Sequence, residues 1–533
     1  MVHHHRATLL AHHQPQQQQR KGEAVEGGSG ASRMKELRGR LMDYACHHRK
    51  HGHDALLRML AGFALASCLL LLLPGSPVSA AIDELLQLGR HHEDASAPAP
   101  APPCSDVADG TICCDRTALR TDVCVMRGDV RTHAASSSLF LLTNSSGPGP
   151  AADERIRPYT RKWESSIMST IDKLRLRAVP ESEGEGAPAR CDVRHDVPAV
   201  VFSTGGYTGN VYHEFNDGII QLYITARQYN KKVVLVMLEY HDWWMTKYGH
   251  IVEQLSGYPP IDFANDRRTH CFPEAVVGLR IHDELAIDAA RMPGNQSIQD
   301  FRQMLDDAYR GRIQTIIEEE EEEEEKKKKE AAQAATTQGP RRGSNTTMIE
   351  KEDDRPRLVI VSRNGSRAIE NEAELARAAA GAGFRVAVLR PRQDTELAKM
   401  YRALNASDVM VGVHGAAMTH FLFMRPGSVF IQVVPLGTDW AAETYYGEPA
   451  RRLGLHYMPY KILPSESSLY GRYAKDDPVL TDPDTVNAKG WQVTKKVYLD
   501  GQNVRLDMAR FRRRLREAYH HVAASRTEQR KPQ

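Results

Sequence analysis

A chain of 533 residues can form two or three domains, and 41% hydrophobic with 26% charged residues is ordinary for a globular protein. Its 70 basic and 68 acidic residues leave a formal net charge of +2. No global field favours a nucleic-acid partner, so a polyanion-binding role carried by bulk charge is excluded.

Residues 1–54 are rich in His, Gln, Gly and Arg and read as a disordered cytosolic tail. Residues 55–82 are apolar over about the length a bilayer requires, roughly 20 residues, with a break at Pro74-Gly-Ser-Pro77. Lys35, Arg38, Arg40, Arg49, Lys50 and Arg58 flank the N-terminal side, which predicts a signal anchor with a luminal body. A cleaved signal peptide ending near Val78-Ser-Ala80 is the alternative, and the long stretch before the apolar run argues against it. Residues 83–103 close in alternating Ala and Pro and read as a stem. Beyond the stem lie Cys104, Cys113, Cys114, Cys124, Cys191 and Cys271, an even set that predicts disulfides in an oxidising compartment. Connectivity is not legible, although adjacent Cys113 and Cys114 are not expected to bond to each other. No C-x-x-C pair or matching His spacing supports zinc.

Residues 104–312 are expected to form a cysteine-containing α/β domain. Val197 to Phe202 and Lys232 to Leu238 read as buried strands, and Val211 to Tyr229 and Asp242 to Ser256 as helices. Residues 313–356 interrupt as a linker or insertion. There Glu318 to Glu325 precede Lys326 to Lys329, a spacing that favours an exposed helix held by i,i+4 pairs. A second α/β domain is expected over 357–490. Its strands are Leu358 to Val361, Phe384 to Leu389, Asp408 to Val413 and Ser428 to Val434; its helices are Glu370 to Ala380 and Thr395 to Leu404. Residues 491–533 read as a helical C-terminal region with a basic amphipathic helix from Met508.

The most informative stretch is Val411-Gly-Val-His-Gly-Ala-Ala417. It places Gly412, His414, Gly415 and Ala416 on a turn between a buried strand and a helix, where open α/β sheets receive phosphorylated ligands. Ser362, Arg363 and Arg367 follow another strand, and guanidinium forks there suit a pyrophosphate. Ser428 and Gln432 are candidates for nucleoside contact, with a role in the strand core as the other reading. His213, Glu214 and Asp217 share a helix, and a transfer to a hydroxyl needs one of them as general base. The D-x-D pattern Asp482-Pro-Asp484 sits in a Pro-rich turn and reads as structural, so no divalent metal is required. A Rossmann oxidoreductase is excluded, since no G-x-G-x-x-G follows an early strand.

Taken together, Ile112-Cys-Cys-Asp-Arg116, Gly128-Asp-Val-Arg131, Phe202-Ser-Thr-Gly-Gly206, His213-Glu-Phe-Asn-Asp217, Ser362-Arg-Asn-Gly-Ser-Arg-Ala-Ile-Glu370, the His414 segment, Gly437-Thr-Asp-Trp-Ala441 and Tyr445-Tyr446 resemble plant glycosyltransferase family 61 over about residues 104–520. The resemblance is to its xylan-decorating arabinosyl- and xylosyltransferases. It implies two Rossmann-like domains facing a cleft (GT-B-like) on a type II Golgi membrane protein. It further implies inverting transfer of xylose or arabinofuranose from a UDP-sugar to xylan, without metal or other cofactor. Ser362, Arg363, Arg367, Gly412, His414, Gly415, Ala416 and Gln432 would bind the nucleotide sugar, and His213, Glu214 or Asp217 would be the base. Trp243, Trp244 and Trp440 would stack on sugar faces, with a core role as the other reading of each. Expected partners are the UDP-pentose, the xylan acceptor, the Golgi membrane and members of a xylan synthase complex. An N-glycan β-1,2-xylosyltransferase and a non-catalytic luminal sugar-binding scaffold are the alternatives.

Overall fold

The computed structural model describes residues 103–143, 153–181, 186–337 and 354–529. The expected tail, membrane anchor, nearly all of the stem and the end of the 313–356 insertion lie outside the described residues. Among the described residues no helix is long and apolar enough to cross a membrane.

Two sheets organise the chain. The first contains β1 (Thr111–Asp115), β2 (Val123–His133), β3 (Ser138–Thr143), β4 (Asp153–Ile156), β5 (Leu174–Pro180), β6 (Val193–Arg194), β7 (Ala199–Ser203), β8 (Val234–Leu238), β9 (Ile261–Asp262) and β10 (His270–Val277). Their order is β4-β5-β3-β2-β10-β7-β8-β9, with β1 on β2 and β6 on β10. The portion β10-β7-β8-β9 is parallel, as strand–helix alternation predicts, while β2 runs antiparallel to β1, β3 and β10. The cysteine segment therefore builds sheet, which makes this half a mixed α/β layer. Cys104 bonds Cys113, Cys114 bonds its cross-strand partner Cys124, and Cys191 bonds Cys271.

The second sheet holds β11 (Arg357–Val361), β12 (Arg385–Leu389), β13 (Val409–Val413), β14 (Val429–Val434) and β15 (His456–Lys461). It is wholly parallel, in the order β12-β11-β13-β14-β15. Chain direction across the sheet reverses between β11 and β13, and that crevice at the carboxyl ends is where open α/β sheets bind ligands.

The period of two along each strand sorts the cores. Val200, Phe202, Leu235 and Met237 of the first sheet share one cluster with Val359, Val361, Met410 and Phe430 of the second. Leu358, Ile360, Val409, Val411, Val429 and Ile431 face the opposite way, against α3 (Glu372–Gly381) and α5 (Met508–Gln529). The facing sides of the two sheets thus join in one apolar core, which also takes in α1 (Asp242–Leu255), α2 (Ile298–Thr337) and α4 (Leu397–Asn405).

Helix α2 corrects the boundary expected at residue 313. It runs unbroken through it: Phe301, Leu305, Tyr309 and Ile316 are buried at helical spacing, and its later turns carry the Glu/Lys run into solvent. Glu323–Lys327 and Glu325–Lys329 form the expected i,i+4 pairs at 2.9 and 3.2 Å. Arg302 joins the halves by donating to Met424 O at 3.0 Å, while Tyr401 donates to Asp306 at 2.5 Å. The C-terminal helix docks through Phe511, Leu515, Ala518 and Val522.

Candidate active site

The β11–β13 crevice brings together the two turns singled out in the sequence, one bearing Arg363 and Arg367 and the other His414. Arg363 and Arg367 follow β11, and both donate to the backbone oxygen of His414, which follows β13, at 3.3 and 3.1 Å. Among the described residues neither guanidinium forms an ion pair within 4.0 Å, and the Nε of each is buried without a hydrogen-bond partner. Asp500 acts on Arg367 only through its field, because its carboxylate is bonded to Lys495 at 2.5 Å. Burial, together with the neighbouring charge of Arg363, pushes Arg367 down to about 10, and burial lowers Arg363 as well. Two adjacent buried cations without an anion are costly unless an anion is bound. Arg367 also takes a left-handed φ of 59°, a conformation that costs a non-glycine residue on the order of 1 kcal/mol and persists where the surroundings enforce it.

The glycines differ in role. Gly415 has φ +148, and a Cβ there would collide with Arg363 Nη1. Gly412 sits inside β13, where a Cβ would collide with Met418. Gly415 therefore admits the guanidinium, whereas Gly412 serves packing behind the turn. Ala416 begins the 3-10 helix Ala416–Phe423, whose first N–H groups lack intrahelical partners.

His414 is buried and held neutral: burial first, then Arg367 and Arg363, pull it down to about 3. Gln432, on β14 opposite Gly412, donates Nε2–H to His414 Nδ1 at 3.0 Å and accepts from the Tyr457 hydroxyl at 2.6 Å. The proton is thereby assigned to His414 Nε2. Gln432 is used up in fixing that tautomer rather than facing a nucleoside. Ser428 stands at the amino end of β14, five residues and roughly 15 Å from the crevice end, and bonds Ser407 O at 3.4 Å. It belongs to the strand start. Ser362, just after β11, is buried and donates its N–H to Leu389 O at 2.8 Å.

The second cluster lies on the helix after β7. Val211–His213 passes through a π-helical turn, Glu214–Ile219, before Ile220–Ala226 resumes. Such turns concentrate at functional sites. The structure separates the three candidate bases. Glu214 is buried, with both oxygens occupied by Gly209 N (2.6 Å), Thr208 (3.2 Å) and Trp244 Nε1 (2.6 Å), so it ties a loop to α1. Trp244 is accordingly a core residue. Asp217 is fully buried and accepts from Arg161 Nε (2.9 Å), Asn216 (2.8 Å) and His213 Nδ1 (2.7 Å). Burial alone would raise its pKa, but His213 and Arg161 outweigh that and leave it lowered. An ionised carboxylate can only accept, so the 2.7 Å contact requires Nδ1–H on His213. Arg161 Nη2, 3.1 Å from the same nitrogen, then finds no lone pair there. Nε2 of His213 is left with its lone pair, on a side chain still 16% exposed: a base oriented by a buried carboxylate.

The clusters meet through rings. Tyr212, beside His213, packs on Tyr445 and Tyr446 at 5.5 and 5.9 Å, and Tyr446 meets the His414 ring at 5.4 Å. Tyr445 and Tyr446 lie on a second π-helical turn, Glu443–Gly447. Arg161 and Tyr207, whose ring stacks on His213 at 4.1 Å, carried no spacing signal: each comes from a separate loop. Asp482 of the D-x-D pattern caps a helix by accepting from Thr485 N at 3.2 Å.

The Glycosyltransferase 61 family profile matches residues 248–431, a span holding the Arg363–Arg367 turn and the His414 turn. The chain is 54% identical to xylan glycosyltransferase MUCI21 of Arabidopsis thaliana, over 77% of this chain and 79% of that protein. It belongs to glycosyltransferase family 61. This family 61 glycosyltransferase is also 37% identical to beta-1,2-xylosyltransferase XYXT1 of Oryza sativa subsp. japonica, over 76% of this chain and 83% of that protein. A third relative, alpha-1,3-arabinosyltransferase XAT3 of the same organism, is 34% identical over 76% of this chain and 64% of its own length.

Proposed function

We propose that the protein is an inverting pentosyltransferase that moves xylose or arabinofuranose from a UDP-sugar to a backbone xylose of xylan. The observation that carries the reading is the pair of buried guanidiniums without carboxylate partners at the β11–β13 crevice. A diphosphate supplies the missing charge and acceptor oxygens. His414 adds a neutral Nε2–H donor. The likeness to xylan xylosyl- and arabinosyltransferases supports the pentose and the acceptor.

In a single displacement, His213 Nε2 takes the proton of the acceptor hydroxyl. That oxygen bonds to the sugar anomeric carbon as the bond to the diphosphate breaks, and UDP leaves with the electron pair. Asp217 stabilises the imidazolium that forms, and Arg363 and Arg367 stabilise the charge growing on the diphosphate. These protein cations do the work a divalent metal would do, so we hold the reaction to be metal-independent. The two half-sites fit a GT-B-like cleft. The three disulfides and the apolar 55–82 segment support a Golgi membrane location with the sheets in the lumen.

The test is to purify the full chain from a secretory host and offer UDP-xylose and UDP-arabinofuranose separately with xylohexaose, with and without EDTA. Pentose added from one donor, undiminished by EDTA, is the expected result. No transfer from either donor, with UDP unbound at millimolar concentration, would overturn the reading.

A further inference from the structure

The mechanism leaves a row of rings unused. Trp163 is 42% exposed and packs against two guanidiniums, Arg120 and Arg161, each with its carbon 5.1 Å from the indole centroid. Exposed indoles are normally mobile surface groups; this one is clamped. Both clamps are anchored on the helix that carries His213. Arg161 is bonded to Asp217, the carboxylate that orients the base. Arg120 is paired with Glu284 at 3.0 Å, and Glu284 accepts the hydroxyl of Tyr212. Trp163 is thus fixed relative to His213 by two independent links.

The row continues on the other side. Arg161 lies over Tyr207, which stacks on His213; next come Tyr212 and Tyr445, and then Trp440, 5.7 Å from Tyr445 and 40% exposed. A chain of ring and guanidinium contacts that passes through His213 therefore ends on two accessible indoles. Stability does not call for this, since an indole left two-fifths in water loses much of its burial gain. A flat apolar face with a polar rim matches a sugar ring, whose axial C–H groups form an apolar patch between hydroxyls. Such aromatic anchors carry most of the energy at recognition surfaces.

We infer that Trp163 and Trp440 are stacking platforms for an extended linear acceptor, so that the protein reads several consecutive sugar residues on both sides of the one it modifies. This rests on the proposed transferase reading for the position of the reacting residue, but not for the binding of the polymer itself.

The experiment uses the full chain and compares Trp163→Ala, Trp440→Ala and the conservative Trp163→Phe. Acceptor KM is measured from xylobiose to xylohexaose, with UDP binding as the check on folding. For either alanine variant, KM for xylohexaose is expected to rise about tenfold, equivalent to about 1.4 kcal/mol, with a much smaller rise for xylobiose. kcat should be nearly kept, and Trp163→Phe should recover most of the loss. Equal KM changes for short and long acceptors, or a fall in kcat with KM intact, would overturn the inference. Should wild-type protein transfer no sugar, retardation in xylan-containing native gels decides instead. Loss of retardation in the alanine variants supports the platforms even though the transferase reading has failed; unaltered retardation removes them.

Discussion

Replacing Arg367 by Met should separate the cost of the site from its use. The side chain keeps an unbranched apolar stem and loses the guanidinium head with its charge. In the folded chain, burial and Arg363 hold this guanidinium down to about 10, which corresponds to roughly 3 kcal/mol disfavouring the charged form. The shift is a depression of a cationic group, so the penalty applies at every pH where the unfolded chain is charged, neutral pH included. Arg367→Met loses one hydrogen bond to His414 O, about 1 kcal/mol, leaving a net gain of roughly 1–2 kcal/mol for the ligand-free protein. With an unfolding entropy of about 2.1 cal/mol/K per residue over roughly 400 ordered residues, Tm should rise by about 1–3 °C. Wild-type protein should gain about 2.7 kcal/mol from UDP at one hundred times its Kd, and the variant nearly none at that concentration. Thermal scanning with and without UDP reads both effects. A variant that melts earlier than wild type and keeps the UDP-induced rise would refute the reasoning, because Arg367 would then be a structural cation with a satisfied environment.

Three further outcomes follow from the geometry. His213→Gln should lower kcat by about 10²–10⁴ with UDP affinity unchanged, while Asp217→Asn should lower kcat and also destabilise the fold by about 1–3 kcal/mol, because buried donors lose a charged acceptor although Arg161 keeps its pairing with Glu164; rates and urea midpoints distinguish the two. Because His414 is buried neutral at about 3, the unfolded chain takes up its proton first as pH falls below 6.5, so His414 should lower stability between pH 6.5 and 5 by about 2 kcal/mol, read as a fall in Tm, and His414→Gln should remove that share of the slope while His282 and His420, both held down to about 4 by burial, keep theirs. Gly415→Ala should weaken UDP at least tenfold (about 1.4 kcal/mol) in isothermal titration by displacing Arg363, whereas Gly412→Ala should cost about 1–3 kcal/mol of stability through Met418, with a smaller change in UDP affinity.

Four strands of the second sheet were legible in the sequence because they are short apolar runs separated by helical periods, the signature a parallel sheet leaves where both faces are buried, whereas β15, an edge strand of mixed His, Tyr, Pro and Lys, carried no such run and was missed. For the same reason the turns after β11 and β13 identified themselves, with Arg363, Arg367 and His414 each at the end of such a run. The ion-paired helix of the Glu/Lys run was legible too, since i,i+4 pairing is local.

What the sequence left open depended on contacts between distant segments. His213, Glu214 and Asp217 are equivalent as residue types on one helix. Trp244 and a loop at Gly209 satisfy Glu214, Arg161 from a separate loop neutralises Asp217, and only His213 keeps a free nitrogen. Gln432 could face ligand or core until Tyr457 on β15 fixed its amide and so the His414 tautomer. The cysteine pairs could not be read because connectivity depends on which strands adjoin, and Cys114 meets Cys124 only through the register of β1 on β2. Local pattern fixes which elements form, since periodicity and turn chemistry act over a few residues. The state of each titratable group follows from its desolvation and its partners, and those are set only when segments tens to hundreds of residues apart are packed together.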